Sequence, residues 1–157
     1  MKKLALVRHG HAVNAAANDH CRDLTVQGLA AVHRLAPQLS GDVWDVMLCS
    51  DSQRTVDTAK TLQSLVMPEG AVLHESNALY LAGYDAIYSM ILSLANECDK
   101  LVVIGHNPGL SDMASRLTGT MYGLSPADCA LLSYPKQGDW SSALVGFGSW
   151  VGELLTD

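Results

Sequence analysis

The run "LVVIG" at residues 101–105 constrains the fold most strongly. It is apolar throughout and rich in β-branched side chains, and the turn-forming Asn107-Pro108-Gly109 follows directly after His106. Such a run reads as a central strand, and a parallel sheet covered on both faces requires helices on each side. Apolar runs at 4–7, 46–49 and 71–74 read as further strands. Helical spacing predicts a helix from a Thr25 cap to about Leu39, with Val26, Leu29, Val32 and Leu39 on one side. Pro37 falls late in that helix, where it ends or kinks it. A second helix runs from the Ser50-Asp51-Ser52 cluster to about Leu65, on Val56, Ala59 and Leu62. A third spans 85–95 on Ile87, Ile91 and Leu94, and a short one covers 111–117. "CALLSYP" and "SALVGF", flanking "KQGDW", read as a closing antiparallel hairpin. The sum is one domain over residues 1–157, a three-layer α/β/α sandwich with a mostly parallel central sheet.

A chain of 157 residues buries roughly 70% of its unfolded surface, enough for a core without staples. Its formal net charge of −6 argues against nucleic acid or an anionic membrane as partner, so an anionic ligand needs a local cluster of positive groups. The four cysteines are scattered and form no C-x-x-C, which reads as core-filling free thiols in a reducing compartment. With no signal-like start and no run near the ~20 apolar residues of a membrane span, the cytoplasm is the expected location. Trp44, Trp140 and Trp150 are expected in core or partly exposed packing.

Three of the strands end in polar clusters. Arg8-His9-Gly10-His11 follows the first, Ser50 to Arg54 follows the second, and His106 follows "LVVIG". Ligands of such sheets bind outside the carboxyl ends of the strands. Two chemistries use this material: a metal site on the pair His9 and His11, or a phosphoryl pocket in which arginines hold the anion and a histidine attacks it. The metal pair belongs to eight-stranded barrels of about 250 residues, too many elements for this chain. Arg8 and Arg54 would repel a divalent cation and attract phosphate. Arg54 also falls in the first turn of its helix, where the dipole disfavours a cation by about 0.3–1 kcal/mol unless an anion binds there. Taken singly, Arg54 also fits a surface arginine paired with Asp51 or Asp57, and His106 a satisfied structural histidine. Three strand ends with one bias favour phosphate, with neither metal nor cofactor.

"LVRHGHA", "RDLTVQG", "SDSQRTVDTA" and "LVVIGHNPGL" together resemble the histidine phosphatase superfamily, with its phosphoglycerate-mutase-like fold, in order and over almost the whole chain. The short length, "ALYLAG" and the closing hairpin look most like the small SixA-type phosphohistidine phosphatase branch. The resemblance implies His9 as nucleophile, Arg8 and Arg54 as phosphate-binding arginines and His106 as the second histidine. Arg22 matches an arginine of the small branch and either reaches the phosphate or pairs with Asp23. Gly28 belongs to the same signature; inside a helix it costs about 1 kcal/mol unless a close contact requires it. Ser50-Asp51 departs from the family's frequent Ser-Pro and adds a carboxylate near the helix entrance.

These roles make chemical sense. A neutral imidazole attacks phosphorus and water then hydrolyses the phosphohistidine, which splits one hard step into two. Flanking guanidiniums lower the pKa of His9, and a backbone carbonyl on its other nitrogen fixes the tautomer. Arg8, Arg54 and a donor N–H from His106 surround the equatorial oxygens. His11 lines the mouth of the pocket, because alternate side chains of an extended chain diverge. Larger members use a carboxylic acid to protonate the leaving oxygen; Glu75 is the nearest candidate and Asp51 the next, and a phosphoramidate substrate needs such an acid less. The expected function is a cytoplasmic, metal-independent phosphatase acting on phosphohistidine of a signalling or phosphotransfer protein. The alternatives are a small-molecule phosphomonoesterase and a non-catalytic phosphate-binding module.

Overall fold

The computed structural model describes residues 1–94 and 98–156. Six strands form one sheet: β1 (Lys2–Arg8), β2 (Val46–Ser50), β3 (Val72–Ser76), β4 (Lys100–Gly105), β5 (Cys129–Tyr134) and β6 (Val151–Leu155). Their order is β3-β2-β4-β1-β5-β6, so the apolar "LVVIG" strand lies at the centre. β3, β2, β4 and β1 run parallel, while β5 and β6 add antiparallel neighbours on one side.

Along β1 and β4 alternate residues serve opposite cores. Leu4, Leu6, Leu101 and Val103 meet α3 (Tyr84–Leu94), α4 (Gly109–Thr118) and α5 (Trp140–Leu144). Ala5, Val7, Val102 and Ile104 meet α1 (Val26–Leu39) and α2 (Gln53–Val66). This is the expected three-layer sandwich. Each fully buried Leu or Ile in it contributes about 1.5–3 kcal/mol. The three tryptophans are core residues, and each indole N–H donates to a backbone carbonyl. Cys49, Cys98 and Cys129 are buried, whereas Cys21 is exposed, against the expectation of four core thiols. No described helix is long and apolar enough to cross a membrane.

Helix α1 starts at its Thr25 cap, whose hydroxyl accepts from the Gly28 N–H, and runs past Pro37 to Leu39. Its buried face differs from the expected stripe: Val26 is 84% exposed, and the core side carries Gly28, Val32, Leu35, Ala36 and Leu39. Gly28 sets that rotation. A Cβ there would stand 2.2 Å from the His11 carbonyl oxygen, so only glycine lets α1 lie against the segment following β1. Helix α3 stops at Leu94 among the described residues, and Ala95, the expected end, lies outside them.

The closing hairpin needs correction. "CALLSY" is β5, but "SALVGF" is not its partner. Asp139 caps α5 by accepting from the Ser142 N–H at 2.8 Å, and the partner strand is β6, further along. β6 is largely exposed on an edge, which left no buried alternation to detect.

Candidate active site

Register brings the three strand ends together. Arg8 pairs with Gly105 and Cys49 with Ile104, so His9, Ser50 and His106 leave the sheet at one edge. The His9 N–H donates to the Gly105 carbonyl at 3.2 Å. Arg54, the second residue of α2, is only 3% exposed and points into the same place. Arg8, His9, Arg22, Arg54 and His106 line one cavity of about 390 Å³, with Asp19 as the single carboxylate among its lining residues.

Hydrogen-bond partners assign both tautomers. His9 Nδ1 lies 2.7 Å from the Gly10 carbonyl, which only accepts, so Nδ1 carries the proton. His9 Nε2 is the lone-pair nitrogen and accepts from Arg54 Nε at 3.2 Å. Burial is the larger cause that pulls the His9 pKa down to about 4; Arg54, Arg8 and Arg22 pull the same way and the Gly10 bond opposes them. The guanidinium effect expected from the sequence is therefore present but secondary. The ring is neutral at pH 7.

His106 holds the opposite tautomer. Its Nδ1 is 3.4 Å from an Arg54 amino group, which only donates, and its Nε2 donates to Ser50 Oγ at 2.9 Å. Burial, then His9 and Arg54, lower its pKa to about 3. Both ring nitrogens are engaged, and the one facing Arg54 accepts. The two rings meet edge-on with centroids 5.3 Å apart.

Arg8 donates from one amino group to the Leu124 carbonyl at 2.9 Å, which also accepts from the Asn107 side chain at 2.7 Å. Its Nε–H is buried with no hydrogen-bond partner. A buried donor left unmade costs about 1–3 kcal/mol, more on a charged group, and an anion in the cavity is the group that suits it. Arg22 lines the cavity too, bonding the Val13 carbonyl at 2.7 Å and Asp19 at 3.1 Å, not Asp23.

Asp19 is the residue the sequence reading missed. Its carboxylate meets Arg54 at 3.1 Å and Arg22 at 3.1 Å, its backbone carbonyl accepts a second Arg54 bond at 2.7 Å, and the Tyr80 hydroxyl donates to it. The Tyr80 bond first, then Arg22 and Arg54, hold its pKa far below the carboxylate range. It is therefore a counter-anion rather than a proton donor. The available signal was its place three residues before Arg22.

The remaining carboxylate candidates do not line the cavity. Glu75 is exposed on edge strand β3, opposite Cys49, and does not line the cavity. The extra carboxylate of Asp51 is drawn to His20 at 3.1 Å, and Asp57 accepts from Gln53 at 2.7 Å, so neither pairs with Arg54. His11 lies at the cavity wall with its Nδ1 on the Thr25 hydroxyl at 3.0 Å. Among the described residues, no three His, Cys, Asp or Glu side chains are grouped to hold a metal ion.

Residues 4–77, which carry Arg8, His9, Arg22 and Arg54, match the model of the histidine phosphatase superfamily (branch 1). A curated relative from Arabidopsis thaliana, named as an uncharacterized chloroplastic protein, is 29% identical over 98% of this chain and 77% of its own length. Among solved structures, a Nakamurella multipartitia protein whose name assigns it to phosphohistidine phosphatase SixA superposes with a TM-score of 0.81. It is 24% identical, over 98% of this chain and 93% of that one. The protein histidine phosphatase SixA complexed with tungstate gives 0.80 at 20% identity, over 98% and 96%. A mycobacterial glucosyl-3-phosphoglycerate phosphatase in complex with VO3 gives 0.68 at 16%, over 99% of each chain. Identities this low establish the shared fold, that of the phosphoglycerate-mutase-like proteins.

Proposed function

We propose that this protein is a member of the histidine phosphatase superfamily, a metal-independent phosphatase that works through a phosphohistidine on His9, and that its substrate is phosphohistidine on a signalling or phosphotransfer protein. The observation that carries the reading is the His9 ring: its proton is held on Nδ1 by Gly10, and its Nε2 lone pair stands free of protonation at pH 7 inside an arginine-lined cavity.

In the first step Nε2 bonds to phosphorus, and the bond from phosphorus to the leaving group breaks with its electron pair on that group. Arg54 and the unpartnered Arg8 Nε–H take the phosphoryl oxygens. An arriving dianion opposes the causes that hold His106 neutral, so its Nδ1 gains a proton and becomes a donor to the same oxygens. Water then bonds to the phosphorus of phospho-His9, the Nε2–P bond breaks with its electron pair returning to Nε2, and inorganic phosphate leaves carrying the water's oxygen.

The substrate class follows from what protonates the leaving group. The one carboxylate lining the cavity is held ionised by Tyr80, Arg22 and Arg54, and Glu75 does not line it. An alkoxide leaving group needs a positioned acid, whereas the imidazole of phosphohistidine leaves readily once protonated by water. The complexes of two fold relatives with tungstate and VO3 agree with an oxyanion in this cavity. A small phosphomonoester is the second reading, favoured by the glucosyl-3-phosphoglycerate phosphatase among those relatives.

The test is turnover of p-nitrophenyl phosphate and of a histidine-phosphorylated protein in EDTA, with the wild type and His9→Ala. Expected are activity that survives chelation, an acid-labile phosphoenzyme, and a loss of about 10⁴-fold or more in the variant. Activity removed by EDTA, or stoichiometric binding without phosphate release, overturns the proposal.

A further inference from the structure

A second depression adjoins the catalytic cavity and has the opposite character. It encloses about 540 Å³ and is lined by Leu81, Gly83, Pro108, Met121 and Tyr122, with Asp112 as its one charged residue. The Asp112 carboxylate is already matched by Arg116 at 3.1 Å, which leaves the groove nearly neutral. Two features join it to the cavity. Leu81 lines both, and consecutive residues divide between them, Asn107 facing the cavity and Pro108 the groove.

The shared wall is built, not incidental. Leu81 has a φ of 50°, a left-handed conformation that a bulky side chain rarely adopts. Gly109 carries the loop: a Cβ there would stand 2.0 Å from the Ala82 carbonyl oxygen, so residues 81–83 lie directly on the start of α4. The result is that Leu81 stays 57% exposed at the cavity rim, with Met121 91% exposed beyond it. Large apolar side chains presented together beside a site mark contact surface.

We propose that this groove is the docking surface for a protein substrate, receiving the uncharged apolar surface beside its phosphorylated histidine. The inference rests on the phosphohistidine-protein reading above. A side chain whose phosphate reaches Arg54 leaves its main chain at the rim, where Leu81 and Pro108 are the apolar surface it meets. The cavity takes the anion and the groove reads the neighbours. Free phosphohistidine fills the first and leaves the second empty.

The experiment compares kcat/KM for a histidine-phosphorylated phosphotransfer domain and for free phosphohistidine, with the wild type, Met121→Glu and Met121→Leu. Met121 lies outside the catalytic cavity, and its exposure lets both variants fold, which circular dichroism checks. Expected is a wild-type preference for the domain of at least about tenfold, with Met121→Glu losing about tenfold on the domain through KM. Free phosphohistidine stays within about twofold, and Met121→Leu keeps the preference. A Met121→Glu enzyme that retains the full preference overturns the docking surface and leaves the proposed function standing. Equal wild-type turnover of domain and free phosphohistidine overturns the docking and keeps only the N–P chemistry. Failure on both, with p-nitrophenyl phosphate hydrolysed, overturns both readings. Equal loss on both substrates in Met121→Glu, or the domain's loss shared by a small ester with an apolar leaving group, overturns a protein occupant.

Discussion

The two ends of the sheet handle charge in opposite ways. At the amino ends of β1 and β4, Lys3 and Lys100 both meet Asp42, each at 2.7 Å, and Lys2 meets Asp99 at 2.6 Å. The Asp45 carboxylate there accepts from the backbone N–H groups of Asp99 and Lys100. Charges are closed off, as a structural end should be. At the carboxyl ends three arginines line a cavity against one lining carboxylate, two buried histidines are held neutral, and an Arg8 donor is unpartnered. The same sheet thus carries one electrostatically finished end and one unfinished end, and only the unfinished one has a use for an anion.

The contrast breaks first at Arg54. Arg54→Lys removes the bond to His9 and the fork shared with Asp19 and His106, and the expected loss in kcat/KM is about 10²–10³-fold. Retained activity would mean that charge alone suffices there. The next effect is on stability. Because the folded pKa values of His9 and His106 lie at about 4 and about 3, below the ordinary imidazole value of 6.5, the unfolded chain takes up protons that the folded chain refuses as pH falls below 6.5. Stability should be flat in these two groups above that pH. Below it, stability should fall by about 1.4 kcal/mol per pH unit for each, until the folded values are reached. Urea unfolding at pH 7, 6 and 5 measures this, and a flat profile refutes buried neutral rings.

A smaller effect belongs to Asp19. Asp19→Asn removes the counter-anion, so inorganic phosphate should inhibit about fivefold more tightly. Weaker inhibition would show that aiming the arginines outweighs competing with the ligand. The finished end should answer in the other currency. Asp42→Asn is expected to cost about 1–2 kcal/mol in thermal or urea unfolding. It should leave kcat/KM unchanged, and any kinetic effect would show that the two ends are coupled.

How much of this was legible depends on the range of the interaction that decides it. The strands β1, β2 and β4 and the polar cluster after each were readable because apolar runs and strand-end residues are local. Arg54 was readable as a conflict, a cation at a helix start that makes sense only with an anion nearby. The partner of β5 was not readable. An exposed edge strand shows no alternation, and the segment mistaken for it obeys a local cap at Asp139 instead. Asp19 was not readable as a site residue, because its partners Arg54 and Tyr80 lie 35 and 61 residues away. Glu75 was favoured on the family's need for an acid, and its edge position removes it from the cavity wall.

The amino-acid sequence by itself determined the layer architecture and which side chains stand at the carboxyl ends of the strands, because periodicity and turn chemistry act over a few residues. Only the tertiary structure decided which nitrogen of each histidine is free, which carboxylate answers Arg54, and where the apolar groove joins the cavity. Those depend on burial and on partners brought together from distant segments, quantities that do not exist until the chain has closed.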